Sequence, residues 1–360
     1  MNVPNKIRPI AIYLPQYHPI CENDKWWGKG FTEWTNVTKA KPLFKGHYQP
    51  HLPADLGFYD LRLAEARVAQ AALAKEYGIY GFCYYHYWFN GKRLLQRPVD
   101  DMLKSGTPDF PFMLCWANEN WTKKWDGRDQ EILIKQEYSY NDDLIHIRFL
   151  CENFFSDPRY IKKDNKPYFL FYRPALFPDI KKTLEIWRNE ALKFGIGELH
   201  LGYVQSFSFK GDPSAYGFDS AIEFQPDFSN LPPRKAGSFM DKLLDKFKIT
   251  KSVFRENTIV SYPEYINSVI NIKSPSNVYP GITPGWDNAS RRKSGATIMI
   301  DSNPEEYKRW LLSIREKYKN ESTFLFINAW NEWAEGNHLE PCQKWGRQYL
   351  EATKRVLENE

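Results

Sequence analysis

No run of eighteen consecutive apolar residues occurs in the chain, so a membrane-spanning helix is not expected. The opening stretch "MNVPNKIRPIAIYLPQYHP" has too short an apolar core, and no small-residue cleavage site, for a signal peptide; a soluble, cytoplasmic protein is the expectation. Long blocks of one charge are missing as well. The 49 basic and 44 acidic side chains are interspersed, for a net charge of +5. That argues against a nucleic-acid partner, which demands a clustered basic face. Mild attraction to an anionic substrate, or peripheral contact with a membrane surface, stays open. Cysteine is scarce: Cys21, Cys83, Cys115, Cys151 and Cys342 form no C-x-x-C pair and are odd in number, so buried free thiols are expected. A Gly-rich phosphate turn and a D-x-D are both absent, which disfavours a doubly wound nucleotide fold and a conventional nucleotide-sugar transferase. His18, His86 and His338 fall at expected strand ends but in no H-E-x-x-H arrangement, so no metal and no cofactor are expected; hydrogen bonding to a sugar or a carboxylate suits them better.

Aromatic side chains are what the chain has in excess, with 13 Trp, 22 Tyr and 24 Phe. A core alone favours Leu, Ile and Val, so the surplus points to flat surfaces that bind sugar rings, nucleobases or a protein partner. A length of 360 residues suits one large barrel.

Short apolar, β-branched or aromatic runs alternate with helical patterns along the sequence. Eight candidate strands can be read: "RPIAIYLP", "GIYGFCYY", "FPFMLCWA", "KPYFLFYR", "ELHLGYVQ", "SAIEFQ", "VYPGITPG" and "FLFINAW". Between them lie amphipathic stretches such as "DLRLAEARVAQAALAKEYG", "DDLIHIRFLCENFFS", "DIKKTLEIWRNEALKFG" and "PEEYKRWLLSIREKYKN". Eight strands with helical crossovers imply parallel pairing, and a β/α barrel closes at that number. The expected fold class is therefore α/β, a single (β/α)8 TIM barrel over residues 1–360 with long loops after strands 1 and 6. Residues 22–60, rich in Trp, Gly and Pro, read as an active-site loop; residues 226–275 read as an insertion carrying the basic helical piece "DKLLDKFKITKSVFREN".

In such barrels the active site lies at the C-terminal ends of the strands, so the residues after each run form its wall. They read "QYHP", "YHYWFN", "WANENW", "YRP", "QSF", "EFQP", "GWDN" and "WNEWAEG". Nearly every one offers an aromatic ring, and most add a group that ionises or hydrogen-bonds. Rings that stack on apolar sugar faces, beside amides and charges that take hydroxyls, suit an oligosaccharide or polysaccharide. The candidate binding residues are Tyr17, His18, Trp34, Tyr85, His86, Trp116, Asn118, Glu119, Trp121, Trp125, Tyr172, Trp286, Asp287, Arg291, Trp330, Asn331 and Trp333. Asp287, Arg291 and Arg292 in "GWDNASRR" could hold hydroxyls or an anionic group, with a surface turn as the plainer alternative.

Residues 328–341, "NAWNEWAEGNHLEP", place three glutamates beside two indoles after the last strand. Glycoside cleavage needs an acid for the leaving oxygen and a second group for the oxocarbenium-like centre. Glu332 and Glu335 are three apart, so a helical turn would point both the same way. Close carboxylates repel, which keeps a proton on one of them. A capped helix start with solvated glutamates is the alternative reading of the same spacing. Glu340, further along, reads as a structural acceptor.

"WNEWAEG" resembles the signature of glycoside hydrolase family 99, the endo-α-1,2-mannosidase-like β/α barrels. "AIYLPQYHPICENDKWWGKGFTEWTNV" and "WANENWTKKWDG" resemble a related, family-99-like group of lipopolysaccharide and O-antigen biosynthesis. The resemblance covers nearly the whole chain. It implies that Glu332 works on the substrate 2-hydroxyl and that Glu335 is the general acid/base, in retaining cleavage or transfer at a 1,2-trans mannoside- or rhamnoside-like bond. A glycosyltransferase of polysaccharide biosynthesis and a non-catalytic carbohydrate-binding protein are the alternatives.

Overall fold

Apolar runs buried on both faces become the strands of a parallel barrel. The computed structural model describes residues 7–123, 128–206, 209–237, 252–292 and 294–358. Its barrel strands are β1 Ile7–Tyr13, β2 Gly81–Phe89, β3 Phe112–Trp116, β4 Lys166–Phe171, β5 His200–Gln205 and β6 Ser220–Glu223, then β7 and β8 Thr323–Ile327. β7 comes in two pieces, Val278–Tyr279 and Gly281–Ile282. Each strand pairs in parallel with the one before it, and β8 pairs with β1, so the ring closes. At Pro280 the ladder loses an N–H and β7 changes partner: Val278 and Tyr279 pair with β6, Gly281 and Ile282 with β8. A side chain at Gly281 would collide with the Glu223 carbonyl oxygen, so glycine is what lets β6 and β7 approach.

The helices Ala64–Glu76, Tyr140–Leu150, Ile180–Lys193 and Pro304–Lys317 form on the four expected amphipathic stretches, the second starting two residues ahead of its stretch. Arg97–Ser105, Tyr262–Val269 and Gln348–Leu357 are further helices. Among its described residues the β5–β6 crossover holds a 3-10 turn, Pro213–Tyr216, and no α-helix. Side-chain caps fix several starts: Asp179 accepts from the Lys182 N–H at 3.1 Å and Asn303 from that of Glu306 at 3.0 Å. Each such cap contributes about 1 kcal/mol. Among the described residues no helix is long and apolar enough to cross a membrane.

The mouth is built from four long excursions, after β1, β3, β6 and β7, rather than the two expected. The first carries the helices Cys21–Trp27 and Glu33–Lys39, and the one after β3 carries a hairpin of Trp121–Lys123 with Arg128–Ile134. The excursion after β7 carries the 3-10 turn Asn288–Arg291 and a strand, Thr297–Ile300. That strand pairs in parallel with Thr258–Ser261 from the insertion after β6. Ile259, Ala296 and Ile298 make a small separate core, against which Leu43 and Phe44 of the first loop pack. Three loops distant in sequence thus support one another beside the mouth. Most of the expected basic helical piece, residues 241–251, lies outside the described residues; its end forms one turn, Val253–Glu256.

Candidate active site

A cleft of about 500 Å³ opens at the C-terminal ends of the strands. Gln16 lines it beyond β1, Tyr85, Tyr87 and Phe89 from β2, and Glu119 and Trp121 beyond β3. Tyr172, Phe224, Trp286 and Arg291 follow around the ring, and Glu332 and Glu335 complete it beyond β8. Side chains of a strand alternate between its faces. Tyr85, Tyr87 and Phe89 therefore face the cleft, while His86 and Trp88 turn outward to the helix Tyr140–Leu150. Trp121 stacks on Tyr87 at 5.4 Å between ring centres and on Phe89 at 6.3 Å, and Trp26 meets it at 5.6 Å. These rings form an aromatic shelf along one wall.

The segment after β8 is fixed from several sides. Asn331 is enclosed; its side-chain oxygen accepts from the Leu14 N–H at 2.8 Å, and its amide donates to the Leu14 carbonyl at 3.0 Å. The Tyr17 hydroxyl donates to the Asn331 carbonyl and accepts from the Trp333 N–H. Glu340 accepts from the Trp333 indole at 2.6 Å, from Gln70 at 2.6 Å and from the Tyr59 hydroxyl at 2.8 Å. A 3-10 turn, Trp333–Glu335, follows, stopped by Gly336 at φ 56°. A side chain there would also stand 2.9 Å from the Asp287 Cβ. The Asp287 N–H donates to the Glu335 carbonyl at 2.6 Å, which couples the β7 and β8 loops. The Asp287 carboxylate accepts from His47 at 2.6 Å, Gln49 at 2.7 Å and the Ala289 N–H at 2.9 Å. It caps the turn that delivers Arg291.

Arg291 is the hub of the cleft's charge. Its guanidinium donates to Glu335 at 2.6 Å, to Glu332 at 3.0 Å and, through Nε, to Glu33 at 2.8 Å. A second bond to the same Glu33 oxygen comes from Nη2. Burial pushes the Glu332 carboxyl well above the usual range; the Glu335 and Glu33 carboxylates push the same way, and Arg291 pulls it back. Glu335 is raised too, first by burial and against the pull of Arg291. Two carboxyls held on one guanidinium titrate as a pair rather than singly. Glu335 is the more open of the two, with 19% of its side chain exposed against 7% for Glu332.

A family model described as Glycosyltransferase WbsX matches residues 9–353. The chain belongs to the WbsX family. Protein WxcX, described as uncharacterized, from two strains of Xanthomonas campestris pv. campestris, is 42% identical over 358 residues, covering 97% of this chain and 49% of the relative. The chain thus spans about half the length of the curated relatives it matches. Among solved structures, a glycoside hydrolase-like protein superposes with a TM-score of 0.58 at 13% identity, covering 99% of this chain and 95% of that one. The GH99 endo-alpha-mannosidase from Bacteroides thetaiotaomicron gives 0.53 at 14% identity, over 98% of this chain and 97% of that one. At such identities the likeness is one of fold, and it shows that this WbsX-family chain has the TIM barrel of the family-99 enzymes.

Of the residues expected to bind, Tyr85, Glu119, Trp121, Tyr172, Trp286 and Arg291 line the cleft of the WbsX-family barrel together with Glu332 and Glu335. Others stand behind it. Tyr17, Asn331 and Trp333 hold the β8 loop as described, and Asp287 caps its neighbour. Trp34 donates to the Tyr59 carbonyl at 2.9 Å and packs on Tyr17 and Trp333. Trp116 donates to the Trp88 carbonyl at 3.1 Å, and Trp330 packs on Phe82. Asn118 donates to the Arg173 carbonyl at 2.9 Å and to the Tyr138 hydroxyl at 3.0 Å. His86 meets His146 at 2.9 Å, and burial pushes both well below the usual histidine range. His18 is buried, which lowers it to about 4. Trp125 lies outside the described residues. Arg292, weighed with Asp287 and Arg291, lines the cleft too, as do Gln16, Tyr87, Phe89 and Phe224, which sequence reasoning includes in the wall segments without singling them out; it passes over Glu33, beneath the cleft. Tyr87 and Phe89 were legible from strand alternation with Tyr85; Glu33 had no such signal. The i, i+4 pair His47 and His51 also went unweighed; it sits beside the β8 loop, His47 on Asp287 and His51 at 3.1 Å from His338.

Proposed function

We propose that this WbsX-family barrel is a carbohydrate-active enzyme that acts, with net retention, on a 1,2-trans glycosidic bond of mannoside or rhamnoside type in a bacterial polysaccharide. The observation that carries the reading is the carboxylate pair Glu332 and Glu335, bridged by one guanidinium in an aromatic-walled cleft. Glu335, nearer the opening, donates its proton to the leaving oxygen. Glu332, deeper, accepts the proton of the sugar 2-hydroxyl. The 2-oxygen then attacks the anomeric carbon as the bond to the leaving oxygen breaks, giving a 1,2-anhydro sugar. Glu335, now a base, takes a proton from the incoming hydroxyl, whose oxygen opens the anhydro ring while Glu332 returns its proton to the 2-oxygen. Two inversions give retention without a glycosyl ester, as in the substrate-assisted exceptions to the two-carboxylate scheme. Backside attack requires the 2-oxygen trans to the leaving group.

The name of the WbsX family favours transfer to a second sugar over transfer to water. The shelf formed by Trp121, Tyr87 and Phe89 suits such an acceptor, because sugar faces stack on aromatic rings. Incubation with a library of mannose- and rhamnose-containing oligosaccharides, with and without acceptors, and mass spectrometry of the products tests the reading. Glu335→Gln should lower turnover by ~10²–10⁴-fold while leaving affinity largely intact. A 2-deoxy analogue of the substrate found should bind and not react; its ready cleavage, or an ester trapped on Glu332 by a 2-fluoro sugar, would overturn the mechanism.

A further inference from the structure

Glu33 lies outside the carboxylate pair, in the first mouth loop, and its side chain is completely enclosed. It opens the helix Glu33–Lys39, whose start is set by the capping box of Thr32 and Thr35, and its N–H donates to the Gln16 carbonyl at 3.1 Å. One carboxylate oxygen takes two donors from Arg291, and the other is buried without a hydrogen-bond partner. An enclosed carboxylate with an idle oxygen is unfavourable unless its charge is matched nearby.

The match is Arg291, whose guanidinium stays charged at every working pH. Glu33, Glu332 and Glu335 all bond to it, so full ionisation would leave three negative charges around one positive charge in an enclosed space. Such a cluster takes up protons rather than hold that excess. Contact geometry decides where: Glu33 receives two donors on one oxygen, whereas Glu335 and Glu332 receive one each. Arg292 also faces Glu335, and the hydroxyls of Tyr17, Tyr85 and Tyr87, all neutral, stand toward Glu332. Glu119, beyond Tyr87, is matched by Arg173 at 2.9 Å.

We propose that Glu33 is a positioning residue: it anchors Arg291 across Glu332 and Glu335 and takes up the arginine's charge, so that the pair keeps one shared proton. The role rests on reading Glu332 and Glu335 as the working pair, but the protonation it describes is measurable without a substrate.

The test is a ¹³C NMR titration of the full-length protein labelled at glutamate carboxyls, with resonances assigned through Glu33→Gln, Glu332→Gln and Glu335→Gln. In the unsubstituted protein the pair should titrate above the usual carboxylate range. In Glu33→Gln the pair's proton affinity should fall at least tenfold, because Arg291 then leans on the pair alone; Glu33→Asp should restore most of it. A pair whose titration is unmoved by Glu33→Gln would sink the proposal. If Glu33→Gln does not fold, the pair of the unsubstituted protein still decides: titration within the usual carboxylate range would overturn the proposal. Failure of the catalytic reading is separate: it would show as undiminished turnover in Glu335→Gln, with the titration as described.

Discussion

Replacing Glu340 by Gln should flatten the dependence of stability on pH. Glu340 is 2% exposed, and burial pushes its carboxyl up from 4.5 to about 7, against the pull of its donors Trp333, Gln70 and Tyr59. A raised folded-state value means that the native protein holds the proton more tightly than the unfolded chain does. The stabilising contribution is therefore complete below pH 4.5 and lost as the pH climbs through 7. A shift of this size corresponds to about 3.4 kcal/mol, of which about 2.5 kcal/mol falls between pH 5 and 8.5. Urea unfolding of both proteins across that range measures it. Glu332, Glu335, His18 and His338 titrate in both proteins and cancel in the difference. The Gln amide, facing one of three donors, adds an offset that does not vary with pH. The unsubstituted protein should lose about 2.5 kcal/mol relative to the variant as the pH rises. Parallel curves would refute the argument and show that the donors hold Glu340 ionised throughout.

Trp121→Ala should weaken calorimetric binding of a mannose- or rhamnose-containing oligosaccharide by about 1–2 kcal/mol and leave Tm unchanged, since the ring is only partly buried on its shelf; unchanged affinity with a Tm several degrees lower would make it a packing residue. Gly336→Ala should cost about 1–3 kcal/mol in denaturant unfolding, because φ is 56° and the new Cβ would stand 2.9 Å from that of Asp287; a variant as stable as the parent would show that the two loops can separate freely.

The barrel was legible because each parallel strand, buried on both faces, is a continuous apolar run, and "FMLCW" and "TFLFI" cannot be mistaken for loops. Even the interrupted β7 showed in "VYPGITPG", whose Pro280 and Gly281 turn out to mark the change of partner. The excursion after β7 stayed hidden, since a four-residue strand paired to a distant insertion leaves little periodicity. In the cleft, Glu332 and Glu335 could be read from spacing beside indoles, and Arg291 from its place after a strand. Position at a strand end does not say which face a side chain takes. Tyr85 and His86 were both candidates, and alternation admits only Tyr85 to the cleft. Likewise Asn118 and Asn331 look like hydroxyl binders but are spent on backbone groups at the barrel rim. Glu33 resembles any exposed first-turn glutamate, and only the folded chain shows it enclosed under Arg291.

Asn331 ties the last strand's loop to Leu14 across 317 residues of chain, and Arg291 reaches Glu33 across 258. Contacts of such range form late in folding, because the entropy of closing the intervening chain must be overcome first. Within the barrel, the strand β8 and its glutamates are made after the other seven strands, yet they lock onto β1, the first of the eight. An incomplete barrel therefore holds no assembled carboxylate pair on Arg291. The proposed centre comes together in one step with the joining of β8 to β1, so its formation during refolding should time the ring's final closure rather than the growth of its helices.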